Sequence, residues 1–177
     1  MSEEQELAAG RRQRIVPALS YDDAPAMIEF LCRAFGFEER FRLDMPDGSI
    51  GHASLLSDED EVTLASAYPE GGLGGPSGLP HLHASVMVYV EDVDAHYARA
   101  VAAGAKILQE PEDQFFGDRT YRAEDPEGGR WWFHQELQKF TGEEVQATID
   151  EMMAAPLRSV TRTPSAPNAC LTAFASF

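Results

Sequence analysis

The feature that most constrains this chain is a pattern that occurs twice along its 177 residues. A segment typical of a strand leads into a helix that ends at Gly36, and the same succession ends again at Gly104, 68 positions later (104 − 36). Tyr21 and Val90, which close the two leading strands, are 69 positions apart (90 − 21). Self-similarity at a fixed spacing indicates two copies of one structural unit.

Each copy predicts the element order β-α-β-β-β. Asp22 and Asp23 supply the N-cap of the first helix, and Pro25 lies in its first turn, where no backbone N–H is needed. A module of about 55 residues is too small to cover both faces of its own sheet, so we expect the two to pack together. The predicted strands are 15–21, 37–43, 49–56 and 61–67 in the first copy, and 83–90, 105–109 and segments beginning near Tyr121 and Trp131 in the second.

The second copy closes with an aromatic hairpin. Its turn, 125–129, combines proline and glycine in the order Asp-Pro-Glu-Gly-Gly, which favours a tight reversal. The strand Trp131–His134 that follows holds three rings and an imidazole, which suit a pleated, half-buried surface. Alternation places Trp132 and His134 on one face and the other two rings on the opposite face.

The segments outside the modules have a different composition. Thr141 and Glu144 form the pattern of a capping box, which predicts a helix to about Ala154, and a Ser/Thr/Pro/Ala-rich tail follows. We therefore expect a disordered leader at 1–13, one domain at 14–137 and a helix with a mobile tail at 138–177. Within the domain, modules 14–68 and 81–137 are joined by a Gly-rich linker at 69–80.

Charge and apolar patterning exclude several kinds of partner. The net charge is −16, with 14 Lys and Arg against 30 Asp and Glu, which argues against nucleic acid and against anionic membrane surfaces. No apolar run approaches membrane-spanning length, and the acidic first residues lack the apolar core of a signal peptide. We expect a cytoplasmic protein. The two cysteines, Cys32 and Cys170, do not have the spacing of a zinc knuckle.

Three segments carry a resemblance to a known family: Val90–Tyr97, the run Ala-Ala-Gly-Ala at 102–105, and Gly117–Tyr121 leading to Asp125-Pro126-Glu127-Gly128. Over about residues 14–136 the chain resembles the vicinal oxygen chelate superfamily, which includes glyoxalase I, extradiol dioxygenases and bleomycin-resistance proteins. It is most similar to the bleomycin-resistance-like and glyoxalase-like members. The resemblance implies an α+β fold in which two βαβββ modules form a curled mixed sheet around a cleft, with helices outside. The C-terminal helix and tail are additions to that fold.

In the metal-dependent members of the superfamily, the ligands come from the first and last strands of each module and face the cleft. The resemblance and the internal repeat together place these four positions at Val16, Leu64, Ser85 and Trp132. Two aliphatic groups, a hydroxyl and an indole are not ligands for a divalent metal, which prefers imidazole or carboxylate. We therefore predict no metal and no other cofactor. The alternative is a divalent metal at a displaced site formed by His52, His83 and His134.

The predicted cleft is apolar and aromatic, with a few hydroxyl and imidazole groups. Such a lining is typical of a pocket for a flat, partly aromatic small molecule, on whose ring Trp132 could stack. Trp132 could equally fill the space of the missing metal. The acidic balance of the chain favours a cationic ligand. The residues predicted to line the cleft are Ser85, Met87, Tyr89, Arg119, Tyr121, Trp132 and His134.

Three hypotheses for function follow. The first is a small-molecule-binding homodimer without metal, for example one that sequesters a toxic compound, with no assigned catalytic residue. The second is a metal-dependent lyase, isomerase or dioxygenase that uses the displaced histidine site. The third is a protein-interaction module that docks through its C-terminal helix.

Overall fold

A computed structural model describes residues 13–154 of the chain, with side chains up to Met153. The predicted tail beyond 154, and all of the predicted leader except Gln13, lie outside the described residues. The chain divides into two compact units, one ending at Phe140 and one beginning at Thr141. No helix among residues 13–154 is long and apolar enough to span a membrane.

The first unit has the order β-α-β-β-β twice, which confirms the predicted fold class. Its two halves are separated by a segment that contains a short 3-10 helix at Pro69–Gly71. The first half consists of β1 (Ala18–Tyr21), α1 (Ala24–Phe35), β2 (Glu38–Asp44), β3 (Ile50–Ser57) and β4 (Asp60–Ser66). The second consists of β5 (Val86–Tyr89), α2 (Val93–Ala102), β6 (Lys106–Asp113), β7 (Asp118–Glu124) and β8 (Arg130–Glu136).

Each half forms its own four-stranded mixed sheet. The strand orders are β1-β4-β3-β2 and β5-β8-β7-β6, so the two sheets share one topology. The pairs β1/β4 and β5/β8 are parallel, and all other neighbours are antiparallel. Leu19 lies opposite Leu64 in the first parallel pair, and Met87 lies opposite Trp132 in the second.

The helix boundaries follow the predicted signals. The carboxylate of Asp23 accepts a hydrogen bond from the Ala26 N–H at 3.1 Å and caps α1. Asp92 caps α2 in the same way, through the Ala95 N–H at 2.9 Å. Gly36 ends α1 with a φ of 71°, a left-handed conformation that glycine adopts without steric cost.

The two halves share one hydrophobic core. The ring of Phe35, at the end of α1, lies 4.9 Å from that of Phe133 and 5.4 Å from that of Trp131, both on β8 of the other half. Phe37 contacts Trp131 as well, at 5.5 Å between ring centroids. Because the first half buries its aromatic rings against the second, neither module completes a core alone, as the size argument predicts.

The β7–β8 hairpin also binds the start of α1. The two carboxylate oxygens of Glu127 accept hydrogen bonds from the backbone N–H groups of Asp22 and Asp23, at 2.8 and 2.7 Å. These N–H groups stand at the positive end of the helix, where a carboxylate is stabilising. The β7–β8 hairpin of the second module thus helps to fix the position of α1 in the first module.

The boundary between the two units lies slightly later than residue 137. The backbone N–H groups of Leu137 and Gln138 both donate to the Gly117 carbonyl at 3.0 Å, which keeps this segment with the first unit. In the second unit, Thr141 and Glu144 form the predicted capping box, with the Thr141 N–H donating to the Glu144 carboxylate at 2.7 Å. Helix α3 (Gly142–Ala154) follows.

Candidate functional site

The second sheet has one face against α2 and one face that no helix of residues 13–140 covers, which we call the open face. Trp131 and Phe133 of β8 are buried on the helix side, so the alternating residues Trp132 and His134 lie on the open face. Met87 and Tyr89 of β5 lie opposite Trp132 and His134, and they are 50% and 60% exposed. Four of the seven residues predicted to line the cleft therefore share this face.

The prediction that Tyr121 lines the cleft is wrong. Tyr121 is fully buried on the helix side, where its hydroxyl lies 2.6 Å from His96 Nδ1. His96 Nε2 lies 3.0 Å from the Phe35 carbonyl, which can only accept, so Nε2 carries the proton and Tyr121 donates to Nδ1. Burial lowers the pKa of His96 to about 4, which keeps this imidazole neutral near pH 7.

Arg119 was also predicted in the cleft, and it too lies on the helix side. Its guanidinium donates to the Asp94 carboxylate of α2 at 2.8 and 2.9 Å and to Asp113 at 2.6 Å. The reason is strand register. Arg122 lies opposite Trp132, and because alternate residues face opposite ways, Arg119 faces away from the open face.

The metal-ligand position assigned to the first module needs a correction of one residue. Leu64 is 1% exposed and lies in the helix-side core. In the two parallel pairs, Leu19 lies opposite Leu64 and Val88 lies opposite Phe133. Because the first strands repeat at a spacing of 69 (88 − 19), the last strands repeat at the same spacing (133 − 64) and not at 68. The repeat counterpart of Trp132 is therefore Thr63. A hydroxyl in place of an aliphatic group still leaves a set that does not suit a divalent metal.

The displaced histidine site is not formed. Within residues 13–154, no group of three or more His, Cys, Asp or Glu side chains is arranged to hold a metal ion. His52 is exposed on β3, His83 precedes β5, and His134 is buried on β8. These three residues therefore do not fit the divalent metal of the alternative hypothesis.

The open face contains a buried polar centre around His134. His134 Nδ1 lies 2.8 Å from the carboxylate of Asp118, and the two residues are 2% and 8% exposed. Because a carboxylate only accepts, Nδ1 carries a proton, and in the neutral form of the imidazole Nε2 presents a lone pair. Among the described residues, His134 Nε2, Thr120 Oγ1 and Arg122 Nε are buried and have no hydrogen-bond partner.

Arg122 differs from the other arginines of this hairpin. Its guanidinium carbon lies 4.1 Å from the ring centroid of Trp132, a cation–π geometry. Arg119 and Arg130 pair with carboxylates, whereas Arg122 has no ion pair with any described residue. Burial lowers the pKa of Arg122, which nevertheless stays charged near pH 7.

Aromatic rings surround the imidazole of His134. The centroids of Trp132, Tyr89 and Phe116 lie 4.6, 5.4 and 6.3 Å from it. Partial burial and the charge of Asp118 raise the pKa of the Tyr89 phenol. The open face therefore combines flat apolar surface with two hydrogen-bond donors and one acceptor lone pair that nothing in the described chain satisfies.

Two cavities lie along the seam between β5 and residues 13–21, which comprise β1 and the segment before it. The first, about 640 Å³, is lined by Ser20, Ser85 and Met87 together with the linker around Gly74. The second, about 1040 Å³, is bordered by Met87, Tyr89 and the β3–β4 turn. Ser85, the remaining predicted cleft residue, thus lies in the seam. Neither cavity reaches Trp132 or His134, and Met87 and Tyr89 connect the seam with the open face.

Comparison with known proteins places this fold in a family. The family model described as the Glyoxalase/Bleomycin resistance protein/Dioxygenase superfamily matches residues 14–133. The chain belongs to this superfamily. The resemblance seen in the sequence is thereby confirmed.

The chain is also similar to uncharacterized proteins of Mycobacterium bovis and Mycobacterium tuberculosis. Both are 35% identical over 136 residues, which is 75% of this chain and 90% and 80% of theirs. Among solved structures, TioX from Micromonospora sp. ML1 is 33% identical, with a TM-score of 0.57 over 71% of this chain and all of that one.

The fosfomycin resistance protein FosX from Listeria monocytogenes is similar in fold alone. It is 17% identical, with a TM-score of 0.53 over 76% of this chain and 98% of its own.

The residues that sequence reasoning missed are Asp118, Thr120 and Arg122. All three lie on β7, where they alternate with Arg119, Tyr121 and Ala123, so that each face begins with a charged residue. Only the pairing of Thr120 with His134 and of Arg122 with Trp132 shows which side they face. The Asp-Pro-Glu-Gly turn, from which the register of β8 can be counted, is the signal that could have found them.

Proposed function

We propose that this superfamily member binds a small, flat, partly aromatic molecule on the open face of the second sheet, without a metal. Binding sequesters the molecule and does not convert it. The observation that carries the proposal is the grouping of Met87, Tyr89 and Trp132 beside three buried, unpartnered polar atoms. Pockets for small molecules typically join apolar and aromatic surface to a few convergent polar groups.

The energetics support a bound ligand on this face. Met87 and Tyr89 leave large apolar surfaces in water, and covering them is favourable by about 25 cal/mol per Å². Trp132 is in contact with both Arg122 and His134, and these neighbours hold its indole in place beside the exposed rings of the face. Each buried polar atom without a partner costs about 1–3 kcal/mol, which a ligand that pairs with it would recover.

Sequestration requires no catalytic group. The four positions that correspond to metal ligands, with Thr63 replacing Leu64, contain neither imidazole nor carboxylate. Binding by stacking and hydrogen bonding uses the groups that the open face does contain. The proposal therefore needs nothing beyond the chain's own side chains.

The test is a thermal-shift screen with planar aromatic compounds, followed by calorimetric titration of those that stabilise the protein. A ligand at 100 times its Kd raises the free energy of unfolding by about 2.7 kcal/mol, which is a shift of several degrees in Tm. We expect Trp132→Leu to weaken binding at least tenfold, since stacking on the indole is lost. Tyr68→Ser is the matched control, because Tyr68 is 58% exposed and lies outside both sheets.

Two results would contradict the proposal. One is a screen in which no planar compound raises the Tm of the wild-type protein. The other is a ligand that Trp132→Leu binds as tightly as the wild type does, or that Tyr68→Ser loses to the same extent.

We also propose that two copies of the chain pair through β2. This strand is an edge of the first sheet, and Phe41, Leu43 and Met45 on and beside it are 52%, 49% and 42% exposed. An unpaired edge is a template for another strand, and a two-fold axis would bring β2 antiparallel to its own copy. Light scattering after gel filtration should give a dimer mass that Leu43→Lys halves and Tyr68→Lys leaves unchanged. A monomeric wild-type protein would refute this arrangement.

A further inference from the structure

We infer that the polar centre of the open face recognises a planar aromatic anion that carries a carboxylate next to a hydroxyl or N–H group. The inference rests on the proposed function and names the chemistry of its ligand. It assigns the recognition to Thr120, Arg122 and His134, which are cross-strand neighbours on β7 and β8.

Arg122 requires an acceptor. Its Nε is buried and donates to no described group, and no carboxylate of the described chain pairs with its guanidinium. Guanidinium is always charged and offers its donors in a planar fork that matches a carboxylate. Since Trp132 covers one face of the fork at 4.1 Å, a ligand carboxylate meets the fork at its edge, in the plane of the guanidinium.

His134 requires a donor. His134 Nδ1 donates its proton to the Asp118 carboxylate, with 2.8 Å between nitrogen and oxygen. While the imidazole is neutral, Nε2 can therefore only accept a hydrogen bond. Thr120, directly opposite on β7, has a hydroxyl that donates or accepts. A ligand with a carboxylate beside a hydroxyl or N–H group supplies an acceptor to Arg122 and a donor to His134 from one ring edge.

The unpartnered donors of the open face select the ligand here, rather than the net charge of the whole chain. The net charge of −16 favours cations at long range, and on that basis we expected a cationic ligand. At the open face, however, the guanidinium of Arg122 has no carboxylate partner in the described chain, whereas the carboxylate of Asp118 already accepts a hydrogen bond from His134 Nδ1. A cation placed against Trp132 would meet a like charge with no acceptor, which disfavours it.

The experiment compares three naphthalene probes of similar size by calorimetric titration: 1-hydroxy-2-naphthoate, 2-naphthalenemethanol and 1-naphthylmethylammonium. We expect the hydroxynaphthoate to bind at least tenfold more tightly than either of the others. Arg122→Gln and Thr120→Val should each weaken the affinity for the hydroxynaphthoate roughly tenfold, which corresponds to the loss of one charged or buried hydrogen bond. Both variants should leave the affinity for the neutral probe within twofold of the wild-type value. Thr120→Val keeps the shape of the side chain and carries the test if Arg122→Gln does not fold.

Arg130→Gln is the matched control. It removes one positive charge from the neighbouring strand, at an exposed arginine that pairs with Glu124. Equal losses in Arg130→Gln and Arg122→Gln would overturn the inference, because long-range charge would then explain the preference. Equal or tighter binding of the ammonium or alcohol probe would also overturn it, while leaving the proposed function standing. Failure of all three probes, and of every planar compound in the wider screen, would instead refute the proposed function.

Discussion

The hydroxyl of Tyr21 donates a hydrogen bond to the carboxylate of Asp125 at 2.8 Å, joining the first strand of one module to the last turn of the other. The indole N–H of Trp131 donates to the same oxygen at 2.9 Å, and the Gly129 N–H to the other oxygen at 2.8 Å. Burial, and then the charge of Asp125, raise the pKa of the Tyr21 phenol. The aspartate of the Asp-Pro-Glu-Gly turn is therefore a structural tie between the modules.

Replacement of this carboxylate should be strongly destabilising. Asp125→Ala leaves the Tyr21 hydroxyl and the Trp131 N–H buried without an acceptor, so we expect the free energy of unfolding to fall by about 3–5 kcal/mol. Tyr21→Phe should cost less, about 1–2 kcal/mol, because the carboxylate keeps its other donors. Urea denaturation measures both, with Glu59→Ala in the exposed β3–β4 turn as control. A loss in Asp125→Ala no larger than that of the control would refute the structural role.

His96 should make stability depend on pH. Its pKa is about 4 in the folded protein because burial disfavours the charged imidazole, against about 6.5 in the unfolded chain. Between these values the unfolded state binds more protons, so stability is full above pH 6.5 and falls as the pH drops towards 4, by up to about 3 kcal/mol.

His96→Gln isolates this contribution from that of the carboxylates. Glutamine retains a donor and an acceptor but does not titrate, so the difference in unfolding free energy between variant and wild type should shrink as the pH is lowered from 7.5 to 4.5. Parallel profiles of the two proteins in urea titrations across this range would show that His96 is not the group responsible.

Gly117 should not tolerate a side chain. Its φ is 101°, and a Cβ there would clash with the Gln138 carbonyl oxygen, a backbone atom that cannot move aside cheaply. Gly128 has a similar φ of 98° but open space around its Cβ position. We expect Gly128→Ala to cost about 1 kcal/mol for the left-handed backbone alone, and Gly117→Ala to cost at least about 2 kcal/mol more. Equal losses in thermal or urea unfolding would show that the contact with residue 138 is unimportant.

Arg119→Gln tests which side of the sheet binds ligand. Because Arg119 pairs with Asp94 and Asp113 on the helix side, its loss should leave ligand affinity within twofold. Stability should fall by no more than about 1 kcal/mol, as for a surface ion pair. The affinity is measured with the same probe as for Arg122→Gln. A tenfold loss of ligand affinity in Arg119→Gln would show that Arg119 contributes to the ligand site. It would contradict the assignment of Arg119 to the helix side, which rests on strand register.

The sequence by itself determined the local structure and the duplication. The cap at Asp23, the stop at Gly36, the capping box at Thr141 and the turn at Asp125 each depend on neighbours within a few residues, and all form as predicted. The two βαβββ modules follow from the repeat, and the faces of Trp132 and His134 follow from simple alternation.

Only the tertiary structure decided the register of each strand against its partner. A shift of one residue exchanges the two faces of a strand, and the repeat spacing of 68 or 69 does not separate the two registers from sequence. For that reason the sequence places Leu64 in the cleft, whereas the structure places Thr63 at that position. The sequence likewise places Arg119 and Tyr121 in the cleft, whereas Thr120 and Arg122 are the residues of β7 that lie on the open face. The polar centre depends on contacts across strands, which a one-dimensional pattern does not contain.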